Sequence, residues 1–150
     1  MDIQIRVTGL KEMQARYANA PQIVTDELTT ATRKVTLMGE RESKLKAPKW
    51  RHQLTRSITS TVSGRPGLVT GFWGTSVLYA RFKEYGTRRH FVPAQYIGDW
   101  AQAHGFGYRG LIVSGKAQPF IRPAFELVKP RVGPEFRAAI KRAVSRIRGG

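Results

Sequence analysis

The sequence predicts an α+β fold: a small, mainly antiparallel sheet packed against a long N-terminal helix and a C-terminal helix, with a long loop excursion over 88–117. Three observations carry this. Apolar residues step by threes and fours over two long stretches, Val24 to Leu45 and Phe136 to Ile147, the period of a helix with one buried face. Between them, Arg56 to Ser63 and Leu68 to Thr75 alternate in polarity around Gly64-Arg65-Pro66-Gly67, which reads as a β-hairpin. Finally, 150 residues of which 41% are hydrophobic suffice for one domain with a real core, so 1–150 is expected to fold as a single domain.

The opening residues alternate, with Ile3, Ile5 and Val7 on one side and Asp2, Gln4 and Arg6 on the other, a half-buried strand ended by Gly9. Leu10 to Tyr17 reads as a short helix. A second, longer helix is expected to start with Pro21 in its first turn behind Asn19 or Ala20, where a missing N–H costs nothing, and to end before Pro48. Val24, Leu28, Ala31, Val35, Met38 and Leu45 form its apolar face; Asp26, Glu27, Arg33, Lys34, Glu40, Glu42 and Lys44 are read as its wet face.

After the hairpin, Tyr79, Phe82 and Tyr85 share a helical turn closed by Gly86, which can adopt a left-handed cap. Gln118 to Glu126 reads as an extended strap in which Pro119 and Pro123 bracket Phe120 and start the last helix. Tyr79, Phe82, Tyr85, Gly86, Pro119, Phe120 and Pro123 are the expected structural core, with Phe120 held between the strap and Phe82. Glu84 and Glu126 are expected to sit in ion pairs. Pro130 and Pro134 should interrupt or kink the last helix, and Phe136, Ile140, Val144 and Ile147 should form its apolar stripe, flanked by Arg137, Lys141, Arg142, Arg146 and Arg148. Within Arg88–Ala117 the pattern allows a helical turn or two over Pro93–Ala103 and a short strand at Leu111-Ile112-Val113; the rest is expected to be a mobile or functional loop.

Charge is the strongest compositional signal. Twenty-six Lys and Arg face ten Asp and Glu, a net charge of +16. Residues 1–45 contribute +1, 46–110 contribute +8 and 111–150 contribute +7. Such a balance suits contact with nucleic acid or an acidic protein surface. No long apolar run argues for a membrane span, no leader pattern opens the chain, and there is no cysteine for a disulfide or thiolate site. His52, His90 and His104 lack metal-ligand spacing, the glycine-rich runs Gly64–Gly67 and Gly105–Gly110 lack the ending of a phosphate loop, and no acid–base pair is apparent. No cofactor, metal or catalytic activity is expected.

Four stretches together resemble one family: Thr8-Gly9-Leu10 after the opening strand, Ala47-Pro48 followed by Leu54-Thr55-Arg56-Ser57-Ile58, Glu84-Tyr85-Gly86-Thr87, and Gln118-Pro119-Phe120-Ile121-Arg122-Pro123-Ala124-Phe125-Glu126. They resemble, in order, the small neck and tail-completion (head–tail joining) proteins of long-tailed phages. The chain departs from that family at Lys49–Gln53, where an Asp-Thr-Gly turn is common, and in the length of Arg88–Ala117. The resemblance implies a structural protein of the virion, made in the bacterial cytoplasm. It would form a homo-oligomeric ring in the neck, join head-completion and tail proteins, and surround the virion DNA. On that reading Trp100, Phe106, Tyr108, Leu111, Ile112 and Val113 are candidates for the subunit interface, and Arg88, Arg89, Arg109 and Lys116 for facing DNA. The alternative is a stand-alone basic nucleic-acid-binding protein, and a nuclease is a more distant third.

Overall fold

A computed structural model describes residues 10–49 and 52–149; the expected opening strand, Trp50 and Arg51 lie outside the described residues. The fold is α+β, as expected. In chain order it comprises α1 (Leu10–Lys46), α2 (Gln53–Ser57), β1 (Ile58–Arg65), β2 (Leu68–Thr75), α3 (Ala80–Tyr85), β3 (His90–Val92), α4 (Ala94–Ala103), β4 (Leu111–Val113) and α5 (Ile121–Arg148). Instead of one sheet there are two ribbons, β1–β2 and β3–β4. The described residues form two compact units, one within 1–41, 59–73 and 125–150, the other within 42–58 and 74–124. Among the described residues, no helix is long and apolar enough to cross a membrane.

In the first unit, α1 is continuous through Pro21, so the two helices expected over Leu10–Lys46 are one. Pro21 leaves the Tyr17 carbonyl without its helical donor, but both residues are exposed, where water can replace the bond. The hairpin rests on a stripe of small residues along α1: Thr25, Thr29, Thr32, Thr36 and Gly39. Thr25 donates its hydroxyl to the Pro21 carbonyl at 2.7 Å and Thr32 to the Leu28 carbonyl at 2.8 Å. With their hydroxyls turned back onto the helix, threonines act as small apolar residues. A β-carbon on Gly71 would collide with the Thr32 and Thr36 methyl groups, and one on Gly39 with the Trp73 ring. Trp73 in turn stacks on Phe125, ring centroids 6.2 Å apart. Ser60 donates to Glu40 at 2.6 Å, tying β1 to α1.

The last helix departs from expectation twice. It runs unbroken through Pro130 and Pro134. The prolines are four apart and both exposed, so the two missing bonds fall on one wet side of the helix. Its buried residues in this unit are Val128, Ala139 and Ala143, while Ile140 and Val144 of the expected stripe are 51% and 39% exposed. The alanines allow backbones to approach closely, and the larger residues sit roughly a quarter turn away.

The second unit has a small core of Ala47, Leu54, Ile58, Ala80 and Phe120, with Val77 and Ile121 packed against it. Phe120 is the anchor expected, 1% exposed; removing such a ring from water is worth about 1.5–3 kcal/mol. The other aromatics assigned to this core are not in it: Phe82 is 55% exposed, Tyr85 75% and Tyr79 36%. A six-residue helix can bury only one side, and α3 buries Ala80 and Glu84. Pro119 is exposed and Pro123 half-buried.

Candidate functional site

The site grows from Glu84. On α3 its carboxylate points inward and accepts backbone N–H groups of Phe120 at 2.8 Å, Ile121 at 3.0 Å and Arg122 at 2.8 Å. These belong to the first turn of α5, whose opening N–H groups have no partner within the helix. The next residue, Pro123, has no N–H to satisfy. One carboxylate and one proline thus complete the N-terminus of α5, and the negative charge sits at the positive end of the helix dipole. This corrects the expectation of an ion pair at Glu84.

The same turn is stitched to the strap on either side. The Lys83 carbonyl accepts the Gln118 N–H at 2.7 Å, the Thr87 N–H donates to the Gly115 carbonyl at 2.9 Å, and the Gly115 N–H returns to the Thr87 hydroxyl at 2.9 Å. Gly86 closes α3 with φ +77° and donates to the Phe82 carbonyl at 2.9 Å. A β-carbon there would come within 2.8 Å of the Gly115 carbonyl oxygen, so both conformation and space require glycine.

The segment 88–117 is not the long loop expected. β3 and β4 pair antiparallel with His90 opposite Val113, Phe91 opposite Ile112 and Val92 opposite Leu111. The helical turns expected over Pro93–Ala103 are α4, and the strand expected at Leu111–Val113 is β4. The glycine-rich run after α4 is a helix cap: Gly105 has φ +81°, its N–H reaches the Gln102 carbonyl at 3.1 Å, and the Phe106 N–H reaches the Ala101 carbonyl at 2.8 Å. This is a Schellman ending, including its apolar contact, since Phe106 stacks on Trp100 at 6.2 Å. Tyr108 covers Gly98 and Phe91 covers Gly110, each where a β-carbon would collide with the ring.

The candidate interface residues therefore divide. Trp100 and Phe106 are engaged with each other, and Trp100 also stacks on His104 at 4.3 Å. Leu111 and Val113 are half-buried, while Tyr108 and Ile112 are 61% and 62% exposed. Arg88, Arg89, Arg109 and Lys116 are all exposed. An open groove of about 660 Å³ runs beside α3, with Tyr79, Phe82, Tyr96, Trp100 and Val113 among its apolar lining and Lys83 and Lys116 among its polar lining. Burial raises the Tyr79 phenol above its usual pKa, against a smaller opposing effect of a backbone hydrogen bond from Leu54. Among the described residues, no three His, Asp or Glu side chains come together as metal ligands. Sequence reasoning placed Phe82 in the core and gave Lys83 and Tyr96 no role; the missed signal was an aromatic stripe on a helix too short to bury it. No protein-family model matches the chain, and neither a curated protein nor a solved structure is significantly similar to it.

Proposed function

We propose that this chain is a structural, non-enzymatic protein of a tailed-phage virion. It acts as a ring-forming neck or tail-completion component that connects the DNA-filled head to the tail. The observation that supports it most is that the two stretches carrying the resemblance, Glu84–Thr87 and Gln118–Glu126, are hydrogen-bond partners, joined by the Glu84 carboxylate. A likeness of scattered residues would not need them to meet. The exposed aromatics on α3 and on 88–117 supply a surface of the kind that marks an assembly interface. Rings are closed by heterologous contacts, one patch of a subunit against a different patch of the next. The exposed arginines, including Arg88, Arg89 and Arg109, give the virion DNA a basic surface to pass.

Deleting α4 and its cap would damage the unit itself, so the test uses exposed positions. In phage particles, the double change Tyr85→Asp with Ile112→Asp, at positions 75% and 62% exposed, should leave the protein folded but stop joining, giving filled heads and free tails by electron microscopy. Changing Arg88, Arg89 and Arg109 to Gln should spare assembly and impair DNA retention or passage. Wild-type titres from both variants would overturn the reading.

A further inference from the structure

We propose that the groove beside α3 receives an acidic, apolar peptide segment presented by a different protein. Its apolar side chains would pack against Phe82 and Tyr96, and its carboxylates would pair with Lys83 and Lys116. The groove's volume of about 660 Å³ matches sites that take a few side chains at once. Phe82 and Tyr96 are 55% and 77% exposed, so their rings are available to a partner. Segments 42–58 and 74–124 hold twelve Lys and Arg against three Asp and Glu, a net of +9. One of those three acids, Glu84, is already consumed by the end of α5. The groove itself is lined by Lys83 and Lys116 against one acid, Asp99, so its charge complement is acidic.

A second copy of the chain is not the occupant, because it has no acidic segment to offer: ten Asp and Glu stand against 26 Lys and Arg, and Glu27, Glu40, Glu84 and Glu135 are already engaged within the fold. A nucleic acid fits less well than a peptide. Single strands follow a continuous basic track with free aromatic faces for stacking. Here the lining mixes two lysines with Asp99 and with aliphatic residues such as Leu54 and Ile97, and Trp100 already stacks on His104 and Phe106. The proposal deepens the assembly reading by naming the partner's chemistry. It is tested on the isolated full-length protein, so failure to bind peptide and failure to join heads to tails are separate results.

A random-peptide display library is panned on the immobilised chain, and enriched peptides are measured by fluorescence anisotropy. The expected sequences set Asp or Glu beside Leu or aromatic residues. Lys83→Glu with Lys116→Glu should weaken them at least tenfold, as should Phe82→Ala, with melting curves unchanged because all three side chains are exposed. A charge-matched control on α5, Arg137→Glu with Lys141→Glu, should leave binding within twofold. The proposal falls if no acidic peptides are enriched or if the groove variants bind like wild type. It falls equally if the α5 control loses as much as the groove variant, or if an oligothymidylate displaces the peptide with equal or higher affinity.

Discussion

The helix α5 is held near each end by a glutamate, and the two glutamates work in opposite ways. Glu84 is buried and receives three backbone N–H groups at the start of the helix. Glu27, on α1, receives two guanidinium groups near its end, from Arg142 at 2.8 Å and Arg146 at 3.1 Å, whose side chains are half exposed. The first carboxylate satisfies donors that are fixed in the backbone and have no other partner. The second pairs with flexible side chains that water solvates well. The difference teaches that the value of a carboxylate follows from what is stranded when it is removed, not from the charge it brings.

The largest effect expected is therefore at Glu84. Leaving a buried donor unpaired costs about 1–3 kcal/mol, and Glu84→Ala strands three donors, one fully and two partly buried. The variant should lose several kcal/mol in urea titration and free the strap to exchange its amide hydrogens. Glu84→Gln, which keeps an acceptor and loses the charge, should fall between. If Glu84→Ala unfolds within about 1 kcal/mol of wild type, the cap is not what holds the start of α5, and the contrast with Glu27 disappears.

Next comes the aromatic set. Phe120→Ala should cost about 3–5 kcal/mol, the usual range for truncating a buried ring. Phe82→Ala and Tyr85→Ala, at exposed positions of the same unit, should stay within about 0.5 kcal/mol. Equal losses at Phe120 and Phe82 would mean that the ring on α3 is a core element after all.

These two results also mark what the sequence made legible. Period and turn chemistry found α1, the hairpin and β4, because helical stepping, strand alternation and Gly-Pro punctuation are local. Phe120 was legible because prolines flank it. The role of Glu84 was not, since its donors lie 36 to 38 residues ahead and no local pattern announces a long-range cap. The apolar stripe of α5 was misassigned because large residues were weighted over alanine, whereas Ala139 and Ala143 make the buried face. The small-residue stripe on α1 was visible in its spacing, Thr25, Thr29, Thr32, Thr36 and Gly39, but went unweighted because threonine counts as polar until its hydroxyl is turned onto the helix. The glycines after α4 suggested mobility; in the structure Gly105 ends the helix and Gly110 makes room for the Phe91 ring.

A middle-sized effect tests that stripe. Gly39→Ala puts a methyl group into the Trp73 ring. Overpacking of this kind typically costs about 1–3 kcal/mol, so the variant should melt measurably lower and Trp73 fluorescence should shift. Gly39→Ala combined with Trp73→Leu should recover part of the loss. No rescue in the double variant would show that the two positions do not share the space the structure gives them.

The smallest effect expected is at Glu27, and its pH dependence distinguishes it from Glu84. Hydrogen bonding from Arg142, opposed by partial burial and aided by Arg146, holds the Glu27 carboxyl below its ordinary value of 4.5. The folded chain thus takes up this proton less readily than the unfolded chain. The stabilisation is complete above pH 4.5 and is lost as the pH falls through the lowered folded value. Glu27→Gln should cost about 0.2–1 kcal/mol near neutrality, as exposed ion pairs do. The gap to wild type should narrow in about 1 M salt, where the screening length is roughly 3 Å, and again in acid, where wild-type Glu27 becomes neutral like the Gln. Urea titrations of both proteins at neutral and acidic pH check this. A gap that persists unchanged in acid and in salt would mean that Glu27 acts by packing rather than charge, and the two ends of α5 would then be held by similar means.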